Sequence, residues 1–135
     1  DGGKEKAPAA MCRKVAETHD GGEIEIWGDG EQTRTFLYVD ECLEGIRRLM
    51  DSKVIGPVNI GSDELISING LAEMAMNIAG KKLTFKHIPG PLGVRGRSSE
   101  NTYIQQVLGW RPATKLIDGM KVTYEWIADE VSKRK

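Results

Sequence analysis

Hydrophobic and polar positions change period several times along the chain. Glu23-Ile24-Glu25-Ile26-Trp27 alternates strictly, the period-two signature of a half-exposed strand. Before it, Ala9, Ala10, Met11, Cys12 and Val15 follow Pro8 at helical spacing. Proline in a first helical turn loses no hydrogen bond, so a helix is predicted from Pro8 to Glu17, ended by Asp20-Gly21-Gly22. Gly28-Asp29-Gly30 reads as a hairpin-like turn into a second strand, Arg34 to Val39. Asp40 stands where an N-cap is needed, and Cys42, Leu43, Ile46, Leu49 and Met50 recur at helix spacing behind it.

The second half continues the alternation of elements. Gly56-Pro57 introduces Val58-Asn59-Ile60, short and apolar like a buried parallel strand, and 54–60 is expected to be that strand. Ser67 is placed to cap a helix carrying Leu71, Met74, Ala75 and Ile78, with Gly80 at its end. Lys82 to Ile88 reads as a strand and Pro89 to Ser99 as a glycine and proline loop. A short helix with Ile104, Val107 and Leu108 stops at Gly109. A last helix carries Met120, Thr123, Ile127 and Val131 on one stripe. Interleaved helices and strands define a mixed α/β fold.

Composition narrows the function classes. The chain has 135 residues, enough for one domain with a core. Nineteen Lys and Arg balance twenty Asp and Glu, which argues against a nucleic-acid binder or a polybasic membrane anchor. No apolar run is long enough to span a bilayer. Cys12 and Cys42 lie far apart and make no metal-ligand spacing with His19 or His87, so reduced thiols and a cytoplasmic location are expected. The chain opens at Asp1 without an initiator Met, which reads as part of a longer polypeptide.

Two motifs need weighing. Gly90-Pro91-Leu92-Gly93-Val94-Arg95-Gly96 has the glycine spacing of a dinucleotide loop. That mechanism also needs a helix leading to a second parallel strand with a ribose-binding acid, and the remaining residues offer none. None of Tyr38, Tyr103 and Tyr124 has a lysine four residues later, so no Tyr/Lys proton-transfer pair is present.

Several blocks in one order then carry a resemblance. They are Glu5-Lys6-Ala7-Pro8 with Lys14, Trp27-Gly28-Asp29-Gly30-Glu31-Gln32-Thr33-Arg34-Thr35-Phe36, Tyr38-Val39-Asp40-Glu41, and Pro57-Val58-Asn59-Ile60-Gly61-Ser62. Ile88-Pro89-Gly90-Pro91, Arg95-Gly96-Arg97-Ser98 and Leu108-Gly109-Trp110-Arg111-Pro112 complete the set. Together they resemble the GDP-mannose 3,5-epimerase family, among the NAD-dependent epimerase/dehydratases of the extended short-chain dehydrogenase/reductase class. Most blocks are shared across that class; the Glu5 to Pro8 block with Lys14 is narrower. Lys4 stands where arginine is expected, and Gly70 replaces the Glu that would complete a capping box with Ser67.

The resemblance implies that residues 1–135 are the C-terminal substrate-binding portion of such an enzyme. The nucleotide-binding half, with its glycine fingerprint and the NAD site, would lie outside this chain. An open sheet edge at Val58 to Ile60 and an apolar surface for that half are expected. The implied reaction oxidises C4 of the hexose, epimerises C3 and C5 beside the ketone, and reduces C4 again. Lys6 maps onto the family's acid/base lysine. The paired cysteine belongs to the other half, so neither Cys12 nor Cys42 inherits that role. A lysine acting as an acid near neutral pH needs burial or nearby positive charge, for which Lys4 and Lys14 are candidates. Glu5, Lys6, Ala7, Lys14, Gln32, Thr33, Arg34 and Arg97 map to substrate contacts, the cations suiting a pyrophosphate. Arg95 is assigned neither to ligand nor to solvent. The implied partners are a nucleotide-diphosphate sugar of the GDP-mannose type, the chain's own nucleotide-binding domain and a second subunit in a homodimer. No nucleic acid, membrane or metal is implied. Another nucleotide-sugar epimerase or dehydratase of the class, or a non-catalytic anion- or protein-binding module, is the alternative.

Overall fold

The computed structural model describes residues 5–91 and 93–134. Glu23 to Trp27 forms strand β1 with the alternation expected of it, Ile24 and Ile26 inward and the other three positions exposed. Before it, helix α1 spans Ala7–Glu17 and buries Met11, Cys12 and Val15. Strand β1 does not turn back on its neighbour. It pairs in parallel with β4, Thr84–Ile88, in the register Ile24 opposite Phe85 and Ile26 opposite His87. Strand β2 is only Thr33–Thr35 and pairs antiparallel with β3, Leu65–Ser67. The Gly28 to Gly30 turn is therefore no hairpin: it carries the chain from one two-stranded sheet to the other.

Helix α3, Ile68–Ala79, has the predicted signals at both ends. The Ser67 hydroxyl accepts from the Gly70 N–H at 3.0 Å, and Gly80 closes the helix in the left-handed conformation. Helix α4 spans Thr102–Leu108 and ends at Gly109; helix α5 spans Leu116–Lys133. Helices α1, α3 and α5 pack on one another. Their apolar stripes and the inner face of β1 make the core, with Val15, Ile26, Leu71, Ala72 and Ala75 fully buried and Met120 nearly so. The single covered face of β1 and the three helices fix α1 over β1, and that relation builds the site.

Helix α2, Val39–Met50, differs from the other long helices. Its N-cap is Tyr38 rather than Asp40; Asp40 and Glu41 instead fall in the first turn, where they complement the helix dipole. The predicted strand over 34–39 stops at Thr35: residues 36–38 lie in neither element, and Val39 already belongs to this helix. Gly45 alone is buried in α2, and among the described residues the helix packs extensively on no other helix or strand. It is held by Glu41, whose Oε1 accepts from the Ala113 and Thr114 N–H groups at 2.6 and 2.9 Å. Gly45 itself lies against Ile60 and Trp110, so closely that a Cβ would stand 2.8 and 2.9 Å from their nearest atoms.

The strand expected at 54–60 is not formed: these residues pair with no strand among the described residues. Val58 and Ile60 are half-buried and Asn59 is exposed. A ladder needs a partner backbone, and none lies beside this segment.

Candidate functional site

Helix α1 and the C-terminal end of β1 bound a cleft of about 390 Å³, lined by Glu5, Ala7, Lys14, Glu25, Trp27 and Gln32 among others. Four of the eight residues singled out from sequence therefore meet in one cavity: Glu5, Ala7, Lys14 and Gln32. Each is placed by its element. Pro8 sits in the first turn of α1, which fixes the entry of the chain just after Glu5 and Lys6. Lys14 lies two turns further along the helix. Gln32 precedes β2, beyond the turn that Asp29 closes by accepting the Glu31 N–H at 3.0 Å. At Gly30 the φ angle is +71°, and a Cβ would run into the Asn69 amide, so only glycine fits. Asn69 in turn donates to the Asp29 carbonyl and to Glu31 Oε1, locking the turn that aims Gln32.

The polar groups of the cleft are unequally satisfied. Lys14 donates to the Glu25 carbonyl oxygen of β1. Burial lowers its pKa, with Arg13 adding to the effect and the Glu25 and Glu5 carboxylates opposing it. Glu5 pairs with Arg13, whose guanidinium also reaches Glu17 at 2.7 Å. Gln32 is 8% exposed; its Nε2 donates to the Trp27 carbonyl at 3.3 Å, and that bond sets the amide orientation. Its Oε1 is buried with no donor among the described residues. A buried acceptor without a donor costs about 1–3 kcal/mol, so a ligand O–H or N–H would be stabilised there.

Lys6 is the N-cap residue of α1, exposed, with its carbonyl accepting from the Ala10 N–H at 2.9 Å. Its side chain makes no cap hydrogen bond and does not line the cleft, although both neighbours do. Lys4, expected as one of the cations near it, lies outside the described residues.

Thr33, Arg34 and Arg97 form a second group. The loop after β4 is added to β2 as a parallel bridge between Gly96 and Thr33, with Thr33 N–H to Arg95 O at 2.9 Å and Arg97 N–H to Thr33 O at 3.2 Å. The Arg34 guanidinium clamps this loop through the Val94 and Thr33 carbonyls. Arg97 lines a separate polar cleft of about 460 Å³ with Thr35, Asn59, Ser62, Ser98 and Ser99. Among the described residues its guanidinium has no ion-pair partner, whereas Arg95 is paired with Asp29 at 2.7 Å.

Trp27 and Pro91 are cleft residues that the sequence pattern did not single out. Trp27 occupies an outward position of β1, and a Cβ on Gly90 would stand 2.7 Å from its ring. An aromatic at an exposed place in an alternating strand, just before a glycine turn, is the signal that was available. The same contact decides the role of the glycine loop. Gly90 makes room for the Trp27 indole and Gly96 abuts Thr33. No helix starts until Thr102, so these residues do not fit the pyrophosphate cradle of a dinucleotide. Among the described residues, no cluster of His, Cys, Asp or Glu could hold a metal ion and no helix is long and apolar enough to cross a membrane.

With fold and clefts in view, residues 1–61 match the model of the NAD dependent epimerase/dehydratase family. The chain is similar to GDP-mannose 3,5-epimerase of Arabidopsis thaliana, with 52% identity over 134 residues, 99% of this chain and 35% of that protein. The chain thus spans about a third of the length of the curated relatives it matches. Among solved structures, UDP-glucose 4-epimerase of Thermotoga maritima with UDP-glucose superposes with a TM-score of 0.82 at 26% identity, over 96% of this chain and 41% of that one. UDP-glucuronic acid 4-epimerase of Bacillus cereus, in complex with UDP-glucuronic acid and NAD, gives 0.82 at 28% identity, over 93% and 40%.

Proposed function

We propose that this chain is the C-terminal, nucleotide-sugar-binding portion of an NAD-dependent epimerase acting on GDP-mannose at C3 and C5. The observation that carries the reading is the α1/β1 cleft. It gathers Glu5, Ala7, Lys14 and Gln32, and it holds a buried Gln32 oxygen in need of a donor. The 52% identity to GDP-mannose 3,5-epimerase supports the choice of sugar nucleotide.

In this reading Lys14 supplies a charge to a pyrophosphate, and Arg97 supplies a planar pair of donors from the second cleft. Gln32 Oε1 accepts from a ligand hydroxyl or amino group. The half-exposed Trp27 indole offers a flat apolar face to a base. Lys6 is the proton-transfer group: held at the start of α1 beside the cleft, it gives or takes a proton at a carbon next to a carbonyl. That carbonyl arises at a redox site which this chain's glycine loop does not build, so NAD binds to the part of the enzyme outside these residues. The full-length enzyme is a homodimer in the cytoplasm, the latter supported by the free thiols Cys12 and Cys42.

Calorimetric titration of the chain with GDP-mannose, GDP, UDP-glucose and UDP-glucuronic acid tests the assignment. Binding of GDP-mannose and GDP with weaker binding of both UDP-sugars is expected. Equal or tighter binding of a UDP-sugar would move the chain to another epimerase or dehydratase of the family. Binding of simple anions alone would leave only an anion-binding module.

A further inference from the structure

A buried acceptor without a donor gains by swinging toward solvent, and a glutamine side chain has the rotamers to do so. At Gln32 three contacts oppose that. The Ile68 N–H donates to the Gln32 carbonyl oxygen at 3.2 Å, the Asn69 N–H donates to the Gly30 carbonyl at 3.0 Å, and the Gln32 amide nitrogen donates to Trp27. The two backbone donors are first-turn N–H groups of α3, which a helix leaves unpaired. The turn from Asp29 to Gln32 is thus seated on the start of α3.

The Asn69 side chain makes the seat specific. Its Nδ2 donates to the Asp29 carbonyl at 3.0 Å and to Glu31 Oε1 at 2.8 Å. Both partners are acceptors, so the nitrogen end of the amide faces the turn and Oδ1 faces away. His87 Nε2 lies 3.0 Å from that Oδ1. An amide oxygen only accepts, so Nε2 carries a hydrogen and donates it. The imidazole is steadied on β4 by the Phe85 ring, which meets it nearly at a right angle with 6.4 Å between centroids. One chain of hydrogen bonds therefore runs from β4 through the first turn of α3 to the turn that carries Gln32.

We propose that Asn69 is a positioning residue for ligand binding, oriented by the Nε2–H of His87, and that it acts by holding Gln32 Oε1 in place in the α1/β1 cleft. The proposal rests on the reading of that oxygen as a ligand acceptor. Neither Asn69 nor His87 lines the cleft, so each contributes preorganisation rather than contact.

The test is a double-mutant cycle read by calorimetric titration of the chain with GDP-mannose. Asn69→Asp keeps the shape of the side chain and its acceptor for His87 but loses both donors. It should weaken binding by about three- to tenfold, the range for a neutral hydrogen bond. In a Gln32→Ala background the same substitution should cost nothing further, because its effect passes through Gln32. Equal losses in the two backgrounds would make Asn69 a general structural residue and overturn the proposal. His87 is exposed, so its variants carry the same cycle where Asn69→Asp does not fold. His87→Gln retains a donor near Nε2 and should bind as the parent does, whereas His87→Leu should bind more weakly. Equal affinities for these two variants overturn the role of His87. A readout without ligand separates this proposal from the substrate reading. Nitrogen NMR should show the neutral His87 ring as the Nε2–H tautomer, and the Gln32 side-chain amide as a slowly exchanging pair that Asn69→Asp shifts and broadens. If so, and if GDP-mannose does not bind, the substrate reading fails and the relay to Gln32 stands. An Nδ1–H tautomer, or a Gln32 amide that Asn69→Asp does not move, overturns the relay.

Discussion

Lys14 gives its ammonium hydrogen to the Glu25 carbonyl, so one cation both lines the cleft and ties α1 to β1. Because burial lowers its pKa below the ordinary 10.5, its charge is lost at a lower pH than that of a solvated lysine. The protonated form is the one that attracts a pyrophosphate. GDP affinity should therefore begin to fall before pH 10.5 and keep falling as Lys14 deprotonates, whereas Lys14→Arg should hold its affinity through that range. Lys14→Met should weaken GDP binding by about 1.5–3 kcal/mol at neutral pH, the range for a hydrogen bond to a charged group. Titration calorimetry from pH 7 to 11 reads both effects.

Lys6→Met should separate chemistry from binding. The side chain is exposed and does not line the cleft, so binding of GDP-mannose to the chain should change little. In the full-length enzyme epimerisation should fall by about 10²–10⁴, the usual worth of a general acid or base. Deuterium wash-in at C3 and C5 is the decisive readout; wild-type exchange into both positions would remove Lys6 from the mechanism.

Arg97→Ala and Arg95→Ala should differ although the two residues lie two positions apart. Arg95 is bound to Asp29 in an exposed, solvent-screened pair that contributes little to stability. Its removal should leave GDP binding unchanged. Arg97 has no such partner among the described residues, and its removal should weaken GDP binding by about 1.5–3 kcal/mol. Equal losses for both variants would assign the loop to general electrostatics.

Burial pushes the Cys12 thiol from 9.0 up to about 11. The native state then keeps a proton that the unfolded chain releases, so stability falls as pH rises from about 9 to 11, by roughly 2–3 kcal/mol at the upper end. Tyr124, also raised by burial and by its nearness to Cys12, adds its own decline above pH 10. Urea midpoints at pH 8 and 10.5 should show Cys12→Ala with a shallower loss than the parent chain.

The chain alone, supplied with NAD⁺ and GDP-mannose, should give no epimerised product. Its glycine loop houses Trp27 rather than a pyrophosphate, and no tyrosine has a lysine four residues on. Turnover by the purified chain, followed by NMR of the sugar, would contradict this.

Local signals were legible where the residue that carries them acts on its own backbone. Ser67 and Gly80 bounded α3, Gly109 ended α4 and the β1 alternation gave its buried face. Partnerships between distant segments were not legible. Nothing in Glu23 to Trp27 distinguishes a hairpin from a parallel pair with Thr84 to Ile88, because the choice is made by α1 and α3 covering one face. Leu65 to Ser67 is too short to read as a strand without β2 beside it. Val58 to Ile60 has the composition of a strand without a partner to make it one. The site divides the same way. Motif blocks located Lys14 and Gln32, but their meeting in one cleft, and the separation of Arg97 into another, depend on packing.

Lys81, just past α3, gives three hydrogen bonds to the last carbonyls of α1, at 2.7 Å to Val15, 3.1 Å to Ala16 and 2.7 Å to Thr18. These are acceptors that a helix end leaves vacant, filled from some 60 residues downstream. Strand β1 likewise waits for β4, across 61 positions of register. During synthesis, then, the segment bearing Lys6, Lys14 and Glu25 leaves the ribosome some 60 residues ahead of the Lys81 and β4 groups that tie it down. The cleft is complete only once residues 81–91 have emerged, which makes ligand capture by a nascent chain a late event.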